Sequence, residues 1–278
     1  MGFFDFVRVS GLFVIMILLL YFLGLLFGVP PLLILLLASV FIFITYWWSD
    51  SFALKMTGAQ LVTPAEAPRL HQMVDDLSHR ANIPKPRVAI VSNPTPNAFA
   101  TGRNHSHGLV AVHTGLLDIM PEQEVMAVLA HEISHIKHRD TLIQAIAASF
   151  GMAIMLLARM AMFGAMFGDD RGTSPFVAIV TWIFAPIAAL LIQMAISRGR
   201  EYKADQGAAA LLGTPEPMAR ALWRLQTQGR PDRRANPGMA HMYIRSPLGR
   251  SGVAGLFSTH PDIDDRIARL QRLTQQRF

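Results

Sequence analysis

From Gly11 to Phe27 and again from Pro31 to Trp48 the chain carries no charged residue. Each run is about as long as an α-helix must be to cross a ~30 Å hydrocarbon core, so a membrane is the expected solvent for this part of the chain. Only Gly28-Val29-Pro30 parts them, which predicts a tight hairpin. The junction offers no small-residue cleavage context, so the first run reads as an anchor and not as a removable signal. Tyr46, Trp47 and Trp48 close the second run, where amphipathic rings favour the water interface. Two more apolar stretches follow. Phe176 to Ile196 reads as a full span, and Leu142 to Phe167 as a weaker one, interrupted by Arg159. With 52% hydrophobic and 16% charged residues in 278, the whole chain is greasier than an ordinary soluble domain.

Between the two pairs of runs stands His131-Glu132-Ile133-Ser134-His135. On a helix, residues four apart share one face, so both imidazoles can hold one Zn²⁺ through neutral ring nitrogens. Glu132 then falls where a carboxylate can take the proton of a water activated by that metal, which is the chemistry of a hydrolase. The preceding residues supply the helix: Pro121 suits its first position, Glu122 and Glu124 face the positive end of its dipole, and Val125, Val128, Leu129 and Ile136 make an apolar stripe.

A catalytic zinc keeps three protein ligands and an open fourth position. Cysteine is absent, which removes thiolate ligands, disulfides and Cys nucleophiles together. The best source of the third ligand is the pair Glu201 and Asp205, again four apart on one predicted helical face. One carboxylate binds the metal while the other accepts the N–H of a ligand His; two solvated acids at a charged helix start is the plainer alternative.

His131-Glu132-x-x-His135, followed far downstream by Ser197-Arg198-x-x-Glu201-x-x-Ala204-Asp205, resembles the HtpX family of membrane-bound zinc metalloproteases, relatives of the type I CAAX prenyl proteases within the gluzincin group. Pro96-Asn97-Ala98-Phe99-Ala100-Thr101-Gly102 and Ser258-Thr259-His260-Pro261 extend the likeness over nearly the whole chain. The resemblance implies Glu201 as third ligand to a single Zn²⁺, Asp205 as the carboxylate supporting the set, endopeptidase activity on membrane proteins, and a link to stress and protein quality control. It also suggests Asn97, Ala98, Phe99 and Ala100 as the edge strand that pairs with an extended substrate.

If His135 and Glu201 share a metal, the chain between them crosses the membrane an even number of times. Two crossings, turning at Gly168-Asp169-Asp170-Arg171-Gly172, fit best. The short turns are poor in Lys and Arg while Arg8, Lys55, Lys137, Arg139, Arg198 and Arg200 flank the opposite ends, so the termini and the metal site are expected in the cytoplasm of a bacterial-type inner membrane. The net charge of +6 then reads as adhesion to anionic headgroups. No base-reading motif and no phosphate loop accompanies it, so neither nucleic acid nor nucleotide is an expected partner.

The expected architecture is thus α+β: about four transmembrane helices and a zincin-like catalytic domain with a small sheet and the His-Glu-x-x-His helix. The segments are a transmembrane hairpin (1–50), the first half of the catalytic domain (51–141), a second hairpin (142–197) and the second half (198–278). Thr63-Pro64-Ala65-Glu66 has the form of a capping box opening an amphipathic helix that ends near Asn82. Strands are predicted over 86–92, 98–101 and 108–113, a basic loop over 229–238, and a closing helix over 262–276 with Ile263, Ile267 and Leu270 on one face. His260 either donates to the oxyanion of a tetrahedral intermediate or only caps that helix. His105 and His107 read as solvated. Two rival functions stay open: a non-catalytic membrane zinc scaffold, against which the intact Glu132 argues, and a CAAX-type prenyl protease, for which the chain is short.

Overall fold

In the computed structural model the described residues are 54–55, 57–141, 199–229, 244 and 261–275, with isolated positions between 21 and 51. The uncharged runs, apart from those isolated positions, lie outside them, as do the stretches 142–167 and 176–196, most of the 229–238 loop, and His260. Among the described residues no helix is long and apolar enough to cross a membrane. Those within 48–144 and 194–278 belong to one compact unit.

Its sheet has four strands: β1 (Gln60–Leu61), β2 (Arg87–Val91), β3 (Ala98–Thr101) and β4 (Leu109–His113). The spatial order is β1-β2-β4-β3, with β2 parallel to β4 and the two outer strands antiparallel to their neighbours. Alternation along the strands sorts the side chains. Val88, Ala98, Ala100, Val110 and Val112 face the main core, whereas Ala89, Val91, Phe99, Leu109 and Ala111 face a second cluster with Leu54 and Ala59. Both faces are therefore buried, which explains why β4 reads as an unbroken apolar run and not as an alternating one.

The helices are α1 (Pro68–Ala81), α2 (Thr114–Ile119), α3 (Glu122–Lys137), α4 over residues 199–212, α5 (Glu216–Gln228) and α6 (Ile263–Gln275). The capping-box contact forms, since the Thr63 backbone N–H donates to Glu66 Oε2 at 2.7 Å and its hydroxyl does so at 2.8 Å. Even so, α1 begins only at Pro68. A helix running through from Thr63 would set the Pro68 ring against the carbonyl of Pro64, so residues 64–66 make a turn and the proline starts the helix instead. The closing helix matches its predicted range to within one residue at each end.

The motif helix α3 is the hub. It packs on α1, on β3 and on α5, and twelve of its sixteen residues are buried, so its neighbours enclose it on nearly every side. Val125, Val128, Leu129, Ile133 and Ile136 join the core with Leu77, Ala208, Met218, Leu222 and Leu270. At its open end Glu124 takes a bidentate ion pair from Arg224 of α5, Nε to Oε2 at 2.5 Å and Nη2 to Oε1 at 2.9 Å. This fixes how α3 sits against the second half of the domain.

Candidate metal centre

Because α3 is helical through the motif, His131 and His135 emerge one turn apart, with their rings edge to face and Nε2 atoms 3.2 Å from each other. Helix α4 brings Glu201 to the same point: Oε2 lies 3.6 Å from His131 Nε2, and Oε1 lies 3.4 Å from His135 Nε2. All three side chains are buried and their ligand atoms form one cluster. A tetrahedral ion with bonds of ~2.0–2.1 Å would set its ligand atoms about 3.3–3.4 Å apart. The two imidazole nitrogens, 3.2 Å apart, come close to that value, the single ligand atoms of the three residues lie within 4.8 Å of one another, and two nitrogens plus one carboxylate form a donor set suited to zinc.

Each imidazole is oriented from behind. His131 Nδ1 lies 3.0 Å from Asp205 Oδ1, and His135 Nδ1 lies 3.2 Å from Asp140 Oδ2, so both rings can donate backwards and present Nε2 lone pairs forwards. Burial works against charging these rings, but the carboxylates prevail. His131 is raised through Asp205 and Glu201, and His135 is raised to about 10 through Asp140 and Glu201. Burial likewise opposes ionising Asp205, yet the Arg266 guanidinium beside it holds its carboxyl below the usual range.

Glu132 is buried on the same helix. Burial pushes its carboxyl up, while the two imidazoles and the Ala100 backbone N–H pull it down. That N–H belongs to β3, which places the outer strand directly beside the motif. Its register says which backbone groups face outwards. The His113 N–H donates to the Asn97 carbonyl at 2.9 Å and Ala98 stands opposite Val112, so Asn97, Phe99 and Thr101 pair with β4 while Ala98 and Ala100 turn their amides away from it, to the edge where the Ala100 N–H meets Glu132. Asn97 Oδ1 also accepts from the Ile244 backbone N–H at 3.0 Å.

A match to the family model described as Peptidase family M48 covers residues 64–274, which takes in α1, strands β2 to β4, the motif helix and all but the last residue of α6. The chain belongs to Peptidase family M48. Membership makes it a metalloprotease, and its curated relatives agree. "Protease HtpX homolog" of Desulforapulum autotrophicum is 50% identical over 244 residues, covering 85% of this chain and 79% of that one. The namesake from Thermococcus kodakarensis is 45% identical over 99% of this chain and 98% of its own length. The M48 chain also shares a fold with S. mikatae Ste24p at a TM-score of 0.50 and 20% identity, the match covering 95% of this chain but only 63% of that longer one.

Two residues of this M48 site were not legible beforehand. Asp140 comes round beneath His135 because Arg139, two residues past the end of the helix, takes a left-handed φ of 61° and reverses the chain. Arg266 had a clearer signal: Ile263, Arg266, Ile267 and Leu270 are spaced three, one and three apart, which puts an arginine on the apolar stripe of an amphipathic helix. His105 and His107 lie outside the metal cluster but are not solvated as expected, since both are half-buried with hydrogen-bond partners, His107 Nδ1 lying 2.8 Å from Asn104 Oδ1. They form a 3-10 turn in which His105 Nε2 contacts the Lys137 carbonyl at 3.0 Å.

The half-sites on α3 and α4 meet through a close approach at Gly207. A Cβ built there would lie 2.2 Å from Ser134 Oγ and 2.9 Å from Ser134 Cβ, so no side chain fits without parting the helices. Gly207→Ala is expected to destabilise the domain by ~1–3 kcal/mol. Activity falls with it, as Glu201 moves away from the imidazoles. A thermal melt matching wild type would show that the two helices need no such contact.

Proposed function

We propose that this M48 metalloprotease is an ATP-independent zinc endopeptidase of the membrane, with one Zn²⁺ per subunit held by His131, His135 and Glu201. The convergence of those three side chains from two distant segments onto one buried point carries the reading. Zn²⁺, when bound, supplies a Lewis acid that acidifies water and polarises the scissile carbonyl. Glu132 takes the proton of the attacking water on its carboxylate and delivers it to the departing amine. The outward backbone of Ala98 and the outward carbonyl of Ala100 align an extended substrate as an added strand beside Glu132, which keeps the Ala100 N–H for itself. Asp205 and Asp140 hold the imidazoles in the tautomer that leaves Nε2 free. His260, just ahead of α6, is the donor for the developing oxyanion.

The uncharged runs set the environment. Four spans, in hairpins at 1–50 and 142–197, carry the catalytic halves at 51–141 and 198–278 on the cytoplasmic face of an inner membrane, where anionic lipid faces the basic flanks. The substrates are membrane proteins that expose misfolded or extended cytoplasmic segments. Neither nucleic acid nor nucleotide takes part.

Peptidase activity in detergent is expected to disappear with o-phenanthroline and to return with one equivalent of Zn²⁺. Zinc uptake also expels protons. With His135 raised to about 10, that ring is charged at pH 7 in the metal-free site and must become neutral to bind. Calorimetry in buffers of different ionisation enthalpy should therefore record at least about one proton released per zinc at pH 7, and weaker apparent affinity as the pH falls. An uptake enthalpy independent of buffer would contradict the site.

A further inference from the structure

The geometry points to Arg266 as a positioning residue of the metal centre: from α6 it clamps Asp205 and Glu201 together, and so sets the direction from which Glu201 presents an oxygen to zinc. The inference rests on the zinc reading above.

Arg266 is 0% exposed, as deep as any apolar side chain in the core. Its Nε lies 2.8 Å from Asp205 Oδ2 and its Nη2 2.7 Å from Asp205 Oδ1, a bidentate pair, while Nη1 lies 3.3 Å from Glu201 Oε2. One planar cation thus spans two carboxylates that stand one helical turn apart on α4. Asp205 Oδ1 is shared, since it also receives His131 Nδ1 at 3.0 Å. Both donors converge on it, which brings Arg266 Nη2 within 3.5 Å of that ring nitrogen.

Three consequences follow from this wiring. The arginine orients Asp205, and Asp205 orients His131, so one ligand depends on α6 at one remove. The guanidinium draws Glu201 electrostatically through Oε2 at an ion-pair separation, with Oε1 3.4 Å from His135 Nε2, and so biases how this carboxylate is turned towards the two imidazoles. Finally, α6 is tied into the centre, although the ligands themselves come from α3 and α4. Stability alone does not require this residue, because an apolar side chain of similar volume usually fills such a position as well or better than a buried ion pair. Lysine cannot replace it in full, since one ammonium lacks the fork that meets two carboxylates at once.

The test uses the full-length protein in detergent as wild type, Arg266→Gln, Arg266→Lys and Tyr202→Phe. The Tyr202 hydroxyl donates to Asp265 of α6, so Tyr202→Phe removes that tie, keeps the ring under the Arg269 guanidinium and leaves His131, His135 and Glu201 untouched. Zinc dissociation constants come from chelator competition, coordination from the visible spectrum of the cobalt(II) form, and folding from thermal melts with zinc and with EDTA. Arg266→Gln is expected to weaken zinc about 10- to 100-fold, the usual effect of losing an outer partner, and to alter the cobalt bands. Arg266→Lys should recover part of both, and Tyr202→Phe should melt earlier with wild-type affinity and spectrum. Unchanged zinc affinity and cobalt bands in Arg266→Gln overturn the proposal. So does a Tyr202→Phe protein that loses as much of both as Arg266→Gln, which would reduce the arginine to helix docking. If Arg266→Gln does not fold, Arg266→Lys decides: wild-type affinity in it refutes the clamp, and weakened zinc at a wild-type melt supports it. A wild-type protein that binds no zinc refutes the metal reading and leaves a different signature.

Discussion

Glu132→Gln protein is expected to bind one zinc with wild-type affinity and to lose about 10²–10⁴-fold in peptide cleavage, the range that a positioned general base contributes. The substitution preserves volume and leaves His131, His135 and Glu201 in place, so metal content should not move. The amide can still accept from the Ala100 N–H, which keeps β3 against the motif helix. What it cannot do is take a proton. Retained cleavage in purified, zinc-loaded Glu132→Gln protein would remove this carboxylate from the chemistry. Loss of zinc together with activity would give it a structural role instead.

Glu201→Ala is the complementary experiment, with the larger effect on the metal. It deletes the proposed third ligand outright, so affinity should fall by more than the about 10- to 100-fold that losing an outer partner costs, and cleavage should vanish with it. Folding should suffer less. Arg266 loses one of its two carboxylate partners but keeps the bidentate contact with Asp205, so the penalty stays below the ~3–5 kcal/mol of stripping a buried ion of its partner. Metal analysis by mass spectrometry, a thermal melt and a peptidase assay on one preparation separate these effects. A Glu201→Ala protein that still carries one zinc at wild-type affinity would leave the centre without its third ligand and sink the assignment.

The parts of this molecule governed by short-range rules could be read from residue order. The motif helix announces itself through Pro121, two early acids and an apolar stripe, and it forms over Glu122–Lys137. Strand β3 was anticipated residue for residue, and β2 and β4 to within a position at each end, because Pro, Asn and Gly bracket short apolar runs. The pairing of Glu201 with Asp205 was visible as a four-residue spacing, although its meeting with His131 needed the folded chain. What escaped depends on contacts between distant segments. Strand β1 is two residues long and exists only because β2 offers it an edge. Asp140 reaches His135 through a left-handed backbone turn at an arginine, a conformation its identity does not advertise. Arg266 was visible only as an anomaly in an apolar stripe, whose meaning came from the two acids facing it.

The buried cluster is drawn from across the polypeptide: the imidazoles precede position 139, Glu201 comes much later, and α6 later still. A ribosome therefore makes Glu132 and the two imidazoles long before it makes Glu201 and α6. On the proposed reading, a chain cut short before Glu201 lacks the third ligand and is inert towards its neighbours.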